Sequence, residues 1–285
     1  MMFRPRESHD LRLLKSRLEI TPQPTHFRML HDVFDNSVGV ATFAGATAEL
    51  RFESIVTLEH FETALPDYQL EEFAERYPFS YSEEELPNLT RALVHHYPSE
   101  DVKHWVKKFL HPSGTTGTLS LLRSMSLAIK QDLVYTRRSE KGVQNPTDTL
   151  RTRRGSCRDF AVLMMEAARS LGLAARFVSG YIFVPGADDT GARGGGATHA
   201  WMQVYLPGAG WIDFDPTNSI VGNRNLIRVA VAWDQTHVLP LWGTFIGKAS
   251  SFLGMDVSVS VSEEAPQGGG AAIRRSKGVS DATNL

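Results

Sequence analysis

The sequence contains a single cysteine, Cys157, among its 285 residues. One cysteine excludes an intrachain disulfide framework, and it fits a reducing compartment. Long apolar runs are also missing: the best candidate, residues 229–247, is broken by Asp234, Gln235 and His237, so we expect no membrane-spanning helix. The basic N-terminus is not followed by an apolar segment, which argues against a secretory signal. We therefore expect a cytoplasmic protein.

An excess of charge of either sign is absent too. The chain has 30 Lys and Arg against 32 Asp and Glu, and no basic block carries interleaved aromatic residues. We therefore expect neither a nucleic acid nor a membrane surface as a partner. No phosphate-binding glycine loop with its lysine occurs, and we expect no cofactor. The hydrophobic fraction of 42% is that of an ordinary globular protein.

Hydrophobic periodicity divides the chain into four parts and predicts an α+β fold. Residues 1–64 alternate in the manner of strands, and residues 65–97, rich in proline and acids, are predicted to be a linker or crossing segment. Residues 98–262 form the predicted core. It begins with helices over 98–110 and 118–134 and continues with strands over 175–184, 198–206, 211–214, 229–233 and 255–262. The polar, glycine-rich residues 263–285 are predicted to be disordered.

Cys157 stands where a glycine turn runs into an amphipathic helix. Ser156 and Asp159 form a capping box that predicts the helix start, and Gly172 is placed to end the helix. One face of this helix is apolar, so we expect it to be buried along one side. A lone cysteine is most often a small buried hydrophobe. At a helix start, however, the helix dipole favours a thiolate, and the backbone N–H of Cys157 can donate to an oxyanion.

A base and a carboxylate follow in the segment 198–218. His199 lies on the polar face of a predicted strand, and Asp213 and Asp215 share one face of the next. With a two-residue turn, His199 would face residue 218 and Asp215 would lie about 10 Å away along the strand. The residues alone do not choose between the two aspartates. Cysteine, histidine and carboxylate together suit nucleophilic acyl transfer, in which a thiolate attacks a carbonyl to form a thioester.

Four motifs, GSCRDFA, LGLAARFVSGY, THAWMQVY and GWIDFDPTN, resemble the core of the transglutaminase-like superfamily, which is related to papain. The resemblance implies a papain-like core with helices packed on an antiparallel sheet. It also implies that Cys157 is the nucleophile, His199 the base and Asp215 the carboxylate. Asp213 then becomes a neighbour on the same face, exposed or in local polar contacts.

The first 62 residues resemble the N-terminal β region of bacterial members, including the D-x-F-x-N motif at Asp32–Asn36. Two features depart from the family pattern. The chain starts inside the family's first strands, so we expect an exposed sheet edge that could pair with a partner chain. Residues 232–235 read AWDQ where relatives have glycine, arginine, aspartate and tyrosine.

Three further expectations concern the surroundings of Cys157. Tyr135 is a candidate second oxyanion donor, although a core tyrosine closing the preceding helix is an equal interpretation. The glycine-rich loop 186–197 is predicted to form a mobile rim of the cleft. We expect no metal site, since the sequence has no metal-binding cysteine pair or H-E-x-x-H helix, and histidines on a charged segment are usually solvated. These histidines are His95, His96, His104 and His111.

The sequence thus predicts a thiol enzyme that attacks an amide or isopeptide carbonyl of a peptide or protein substrate. The resemblance favours a hydrolase, a peptidase or amidase. The alternatives are a cross-linking transamidase and a non-catalytic binding module on the same fold.

Overall fold

The computed structural model describes residues 1–62, 68–112, 114–138, 141–184 and 196–263. Two expectations fall largely beyond this part of the chain: the predicted disordered tail from residue 264 onward, and residues 186–195 of the glycine-rich loop. The fold is α+β, with helices packed against an antiparallel sheet as expected.

The N-terminal region consists of two antiparallel strand pairs. β1 (Leu11–Thr21) pairs with β4 (Arg51–His60), and β2 (His26–His31) pairs with β3 (Ser37–Thr42). The sequence pattern did not predict β2. Within the described residues each of these strands has only one strand neighbour. Whether a partner chain pairs with the other edge stays a prediction.

The core sheet has five antiparallel strands in the order β12-β11-β10-β9-β13. Their bounds are β9 (Ala175–Ile182), β10 (His199–Leu206), β11 (Gly210–Asp215), β12 (Ile220–Val221) and β13 (Leu226–Ala232). Two short pairs complete the strands: β5 (Arg76–Tyr77) with β6 (Thr116–Gly117), and β7 (Val134–Tyr135) with β8 (Arg154–Gly155). β7 and β8 run parallel, in contrast to the other pairs.

The described ranges contain five α-helices: α1 (Leu86–Leu93), α2 (Glu100–Lys107), α3 (Thr118–Asp132), α4 (Pro146–Thr152) and α5 (Cys157–Ser170). α1 lies within the segment predicted as a linker or crossing segment, and the sequence pattern did not predict α4. No helix in the described ranges combines the length and the apolar character needed to cross a membrane.

α5 is the central helix of the core. It packs on β9 and β10 on one side and on α2, α3 and α4 on the other. Nearly every residue from Cys157 to Arg169 is buried as a result. The prediction of burial along one side only was therefore wrong, because the helical layer covers the face that the periodicity assigned to solvent. The helix ends in a Schellman motif, in which Gly172 adopts a φ of 75° and Leu173 N–H donates to Ala168 O.

The strand predicted over residues 255–262 is not formed. This segment has alternating valines, yet among the described residues its backbone bonds to a neighbouring segment only from Val259 N to Gly196 O, at 3.2 Å. Alternation predicts a strand only where a sheet edge is available to pair with it, and here none of the described strands takes that place.

The D-x-F-x-N motif attaches the N-terminal region to the core. The Asn36 side chain donates to Val231 O at 2.8 Å and accepts from Val231 N at 2.9 Å, so it pairs with the outer edge of β13 as another strand would. Asp32 holds this amide through Asn36 Nδ2 at 2.9 Å. The Phe34 ring packs edge-on against Trp233, with centroids 5.6 Å apart. The motif therefore positions a hairpin on the core sheet.

Candidate active site

Cys157 is the first residue of α5 and is 7% exposed. The chain reaches it through β8, where Gly155 is packed so closely that a Cβ atom would lie 2.9 Å from Phe160 Cε1. A side chain at residue 155 would therefore displace the buried Phe160 ring. The thiol lies at the N-terminal end of a buried helix, where the sequence predicted it.

Asp159 fixes the start of α5. Its Oδ2 accepts hydrogen bonds from Ser156 N and Ser156 Oγ, both at 2.8 Å, and its Oδ1 accepts from Gln144 N at 2.6 Å. Arg138 forms an ion pair with the same carboxylate at 3.1 Å. The capping box predicted from the sequence is confirmed. Because the capping carboxylate is fully buried and bound from several sides, the position of the neighbouring Cys157 is well defined.

The hairpin of β10 and β11 brings His199 and Asp215 together. Leu206 pairs with Gly210, so the turn has three residues, Pro207 to Ala209, and Met202 pairs with Phe214. Extended to the end of β10, this register places His199 opposite residue 217, and Asp215 two residues away on the same face. The two-residue turn considered from the sequence would have put Asp215 on the opposite face. With a third residue in the turn, Asp215 lies on the same face as His199.

The imidazole of His199 is fully buried and paired with Asp215. The distance from His199 Nε2 to Asp215 Oδ2 is 2.9 Å. Burial by itself lowers the pKa of His199, but the charge and hydrogen bond of Asp215, together with the Cys157 side chain, outweigh it and raise the pKa to about 10. Burial raises the pKa of Asp215, and the charge and hydrogen bond of His199 reverse this, so the net shift is downward. The pair therefore favours an imidazolium beside a carboxylate.

The other ring nitrogen, His199 Nδ1, is buried and makes no hydrogen bond of ordinary geometry within the described part of the chain. Cys157 is nevertheless near enough to contribute to the raised pKa of His199. Since Nε2 binds Asp215, Nδ1 is the nitrogen available to exchange a proton with the thiol.

Asp215 has further partners that the sequence reading did not identify. Its Oδ1 accepts from Thr217 N at 2.9 Å, and its Oδ2 accepts from Asn218 Nδ2 at 2.8 Å. Asn218 O in turn accepts from Lys130 Nζ of α3 at 2.8 Å. The turn chemistry of the D-P-T-N sequence was the available signal, because residues two and three after an aspartate commonly bond to its side chain. These bonds orient the carboxylate toward His199.

Asp213 is separate from this pair. It is 3% exposed, and its carboxylate accepts from Trp201 Nε1 at 2.6 Å and from Arg228 Nη1 at 2.9 Å. Of the two environments expected for Asp213, local polar contacts are therefore found, and exposure was wrong. The Trp201 ring stacks on the His199 ring with centroids 5.9 Å apart, a contact that the sequence reading missed.

Tyr135 lies beside Cys157. It pairs with Gly155 across β7 and β8, and its ring packs edge-on against Phe160 with centroids 6.5 Å apart. Burial and then the charge of Cys157 raise the pKa of Tyr135. The tyrosine thus combines a core contact with proximity to Cys157, and its part in catalysis stays a prediction.

The four histidines weighed as metal ligands are dispersed. His95 Nδ1 lies 3.2 Å from Glu166 Oε2, and His96 Nδ1 lies 2.6 Å from Asp234 Oδ2. The expected solvation is found for His104 and His111, which are exposed, but not for the half-buried His95 and His96. Nowhere in the described ranges do three histidine, cysteine or acidic side chains converge in a way that could hold a metal ion.

Comparison with known proteins agrees with this architecture. Residues 107–216 match the transglutaminase-like superfamily core, and residues 1–59 match the bacterial transglutaminase-like N-terminal region. An uncharacterised Mycobacterium leprae protein is 36% identical over 113 residues, which are 40% of each chain. A Mycobacterium tuberculosis protein is 34% identical over 150 residues, 50% of this chain and 47% of that protein. The matches therefore span less than half the length of these relatives.

A solved structure of a candidate cysteine protease from Cytophaga hutchinsonii is also similar. It is 19% identical, has a TM-score of 0.58, and the alignment covers 82% of this chain and 76% of that one. At this identity the likeness shows a shared fold.

Proposed function

Because this chain belongs to the transglutaminase-like superfamily, with the N-terminal region of its bacterial members before the core, we propose that it is a cysteine-dependent enzyme acting on an amide or isopeptide carbonyl. Its substrate is a peptide or protein, Cys157 is the nucleophile, His199 is the base and Asp215 orients the base. The observation that carries this proposal is the buried His199–Asp215 pair, with Nδ1 of the imidazole left for Cys157.

The reaction follows from the roles of these groups. His199 Nδ1 takes the proton of the Cys157 thiol, and Asp215 stabilises the imidazolium that results. The thiolate then attacks the carbonyl carbon and forms a tetrahedral intermediate with a negatively charged oxygen. When this intermediate collapses, the C–N bond breaks, the leaving amine takes the proton from His199, and a thioester on Cys157 remains.

Two donors are suited to the oxyanion. The Cys157 backbone N–H lies in the first turn of α5, where N–H groups lack intrahelical acceptors. Tyr135 supplies a hydroxyl group that burial keeps protonated, since its pKa is raised. Removing one such donor typically lowers kcat by about 10²-fold or more.

Water is our proposed acceptor of the acyl group, so that the net reaction is hydrolysis. This choice follows the family resemblance to bacterial members. The alternatives are transfer to a primary amine, which would cross-link proteins, and a binding role without chemistry.

The test is to trap the acyl-enzyme. The protein is incubated with a mixture of peptides, quenched in acid and digested, and the mass of the peptide that contains Cys157 is measured. We expect an acyl adduct on Cys157 in the parent and in the surface control Asp148→Asn, and none in Cys157→Ala or His199→Ala. Total absence of adduct and product across a broad peptide set would contradict an enzymatic role and favour a binding module.

Product analysis then separates the two reactions. The protein is incubated with its peptide substrate in H₂¹⁸O, with and without a primary amine. The labelled product shows whether water or the amine attacks the thioester. Incorporation of ¹⁸O into the released acid supports hydrolysis. If product forms only when the amine is present, the proposed hydrolase is wrong and the protein is a transamidase.

A further inference from the structure

The ring of Trp201 stacks, offset, beside the His199 ring. The two residues are on the same face of β10, their centroids are 5.9 Å apart, and their planes differ by 28°. Trp201 is completely buried. Its far edge is confined by Gly180 of β9, where an added Cβ atom would lie 2.7 Å from Trp201 Cη2. The stacked indole therefore has little room to move.

A hydrogen bond fixes the indole in its own plane. Trp201 Nε1 donates to Asp213 Oδ1 at 2.6 Å, and the second oxygen of Asp213 accepts from Arg228 Nη1 at 2.9 Å. A buried tryptophan needs a partner for its N–H, and here that partner is a charged group that is itself held in place. The rotation of the indole is thus set by Asp213, whereas the hydrogen-bonded carboxylate of His199 is that of Asp215.

Arg228 continues this chain of contacts into the N-terminal region. Its second nitrogen, Nη2, binds the carboxylate of Asp10 and lies 3.1 Å from Ser8 Oγ. Asp10 Oδ2 also accepts from Asn223 Nδ2 at 2.9 Å. The side chains of Asp213, Arg228 and Asp10 are 4%, 12% and 6% exposed, so one buried cation lies between two buried carboxylates.

We infer that Trp201 is a positioning residue for His199, and that the N-terminal region sets its position through Asp10, Arg228 and Asp213. The inference rests on the proposed role of His199 as the base. The stacked indole holds the imidazole in the plane that serves Asp215 at Nε2 and Cys157 at Nδ1. The N-terminal region is thereby part of the catalytic framework, in addition to being docked on β13.

Alkylation of Cys157 tests this without a known substrate. The rate of reaction of the full chain with iodoacetamide is measured from pH 5 to pH 10, which gives a pH midpoint for thiolate formation. In Trp201→Phe an aromatic ring is kept, although a smaller one, and the N–H is lost. In Asp10→Asn only the distal charge is lost. The matched controls are Trp242→Phe, at an indole that is 72% exposed, and Asp148→Asn, at an exposed carboxylate.

We expect Trp201→Phe to lower the alkylation rate at pH 7 about tenfold and to raise the pH midpoint by about one unit, because a loosened imidazole stabilises the thiolate less well. Asp10→Asn should change the alkylation rate and the pH midpoint in the same directions, by about a third as much. Its effect reaches Trp201 only through the side chains of Arg228 and Asp213. Both controls should match the parent.

A structural role alone predicts a different result. If Trp201→Phe and Asp10→Asn lower the melting temperature but keep the midpoint of the parent, the inference is overturned. A shift in Trp201→Phe with none in Asp10→Asn overturns the part assigned to the N-terminal region. Failure of the proposed function is recognised separately. If His199 is not the base, His199→Ala will have the same pH midpoint of Cys157 alkylation as the parent.

Discussion

Asp213 and Asp215 lie two residues apart on one strand face and have opposite electrostatic behaviour. Both are buried, which raises the pKa of each carboxyl group. His199, Asn218 and Thr217 reverse this for Asp215, whose pKa is lowered, whereas Arg228 and Trp201 only oppose the rise for Asp213. Two like groups whose pKa values are driven apart by their surroundings generally have different tasks. Here one carboxylate binds the imidazole of His199 and the other binds the indole of Trp201 beside it.

Replacing these two aspartates by asparagine should therefore have unequal effects. Asp215→Asn removes the charge that stabilises the imidazolium. For a peptide substrate identified by trapping, we expect kcat/KM to fall by about 10³-fold or more. Asp213→Asn keeps an acceptor for Trp201 Nε1, and we expect a loss of about tenfold. Steady-state kinetics of both variants and of Asp148→Asn provide the comparison. Equal losses in the two variants would contradict the division of roles.

At the scale of elements, the β10–β11 hairpin determines whether the side chains of His199 and Asp215 can meet. A turn of three residues keeps Asp215 on the face of His199, and a turn of two would turn it away. The neighbouring strand β9 contributes through Gly180, whose Cα faces Ile227 O of β13 and the Trp201 ring. Strands β9, β10 and β13 approach one another closely at Gly180. Because this residue has no side chain, the Trp201 ring fits between them.

Gly180→Ala should consequently destabilise the sheet. The added Cβ atom would lie 2.1 Å from Ile227 O, which is backbone and has little freedom to move. We expect unfolding free energy to fall by about 3 kcal/mol, as for other overpacked cores. Gly45→Ala is the matched control, because nothing lies within 4 Å of a Cβ atom there. Urea denaturation measures both, and equal stability of the two variants would refute the packing argument.

At the scale of the molecule, several contacts unite the N-terminal region with the core, and these include two with β13. Asn36 pairs with the backbone of β13, and Asp10 binds Arg228 of the same strand. The second contact is sensitive to acid. Burial raises the pKa of Asp10, but the hydrogen bonds and charge of Arg228, with Ser8 and Asn223, lower it to about 2.

This shift predicts how stability depends on pH. A carboxyl whose pKa is lower in the folded state stabilises the fold above its unfolded pKa, and that contribution is lost as the pH falls toward the folded value. Asp10 should thus contribute about 2 kcal/mol at pH 6 and almost nothing near pH 2. Urea denaturation of the parent and of Asp10→Asn should show a stability gap that closes on acidification. A gap that is constant between pH 6 and pH 2.5 would show that the ionised carboxylate is not the source.

Much of the site's local structure was predictable from the sequence. Ser156, Asp159 and Gly172 are short-range signals, and they located both ends of α5. The register of the hairpin was not predictable, because Pro207 to Gly210 allows turns of different length. Nor was the contact between Asp10 and Arg228, which are 218 positions apart. Alternating valines after residue 255 predicted a strand, since a sequence pattern does not reveal whether a sheet edge is free to receive it.

We propose that Cys157 and His199 form a thiolate–imidazolium pair. The most direct measurement is the pH dependence of Cys157 alkylation in the parent and in His199→Ala. We expect a midpoint well below that of a free cysteine, about 8.5, in the parent, and a midpoint close to 8.5 once the imidazole is removed. A midpoint near 8.5 in both proteins would show that this ion pair does not form.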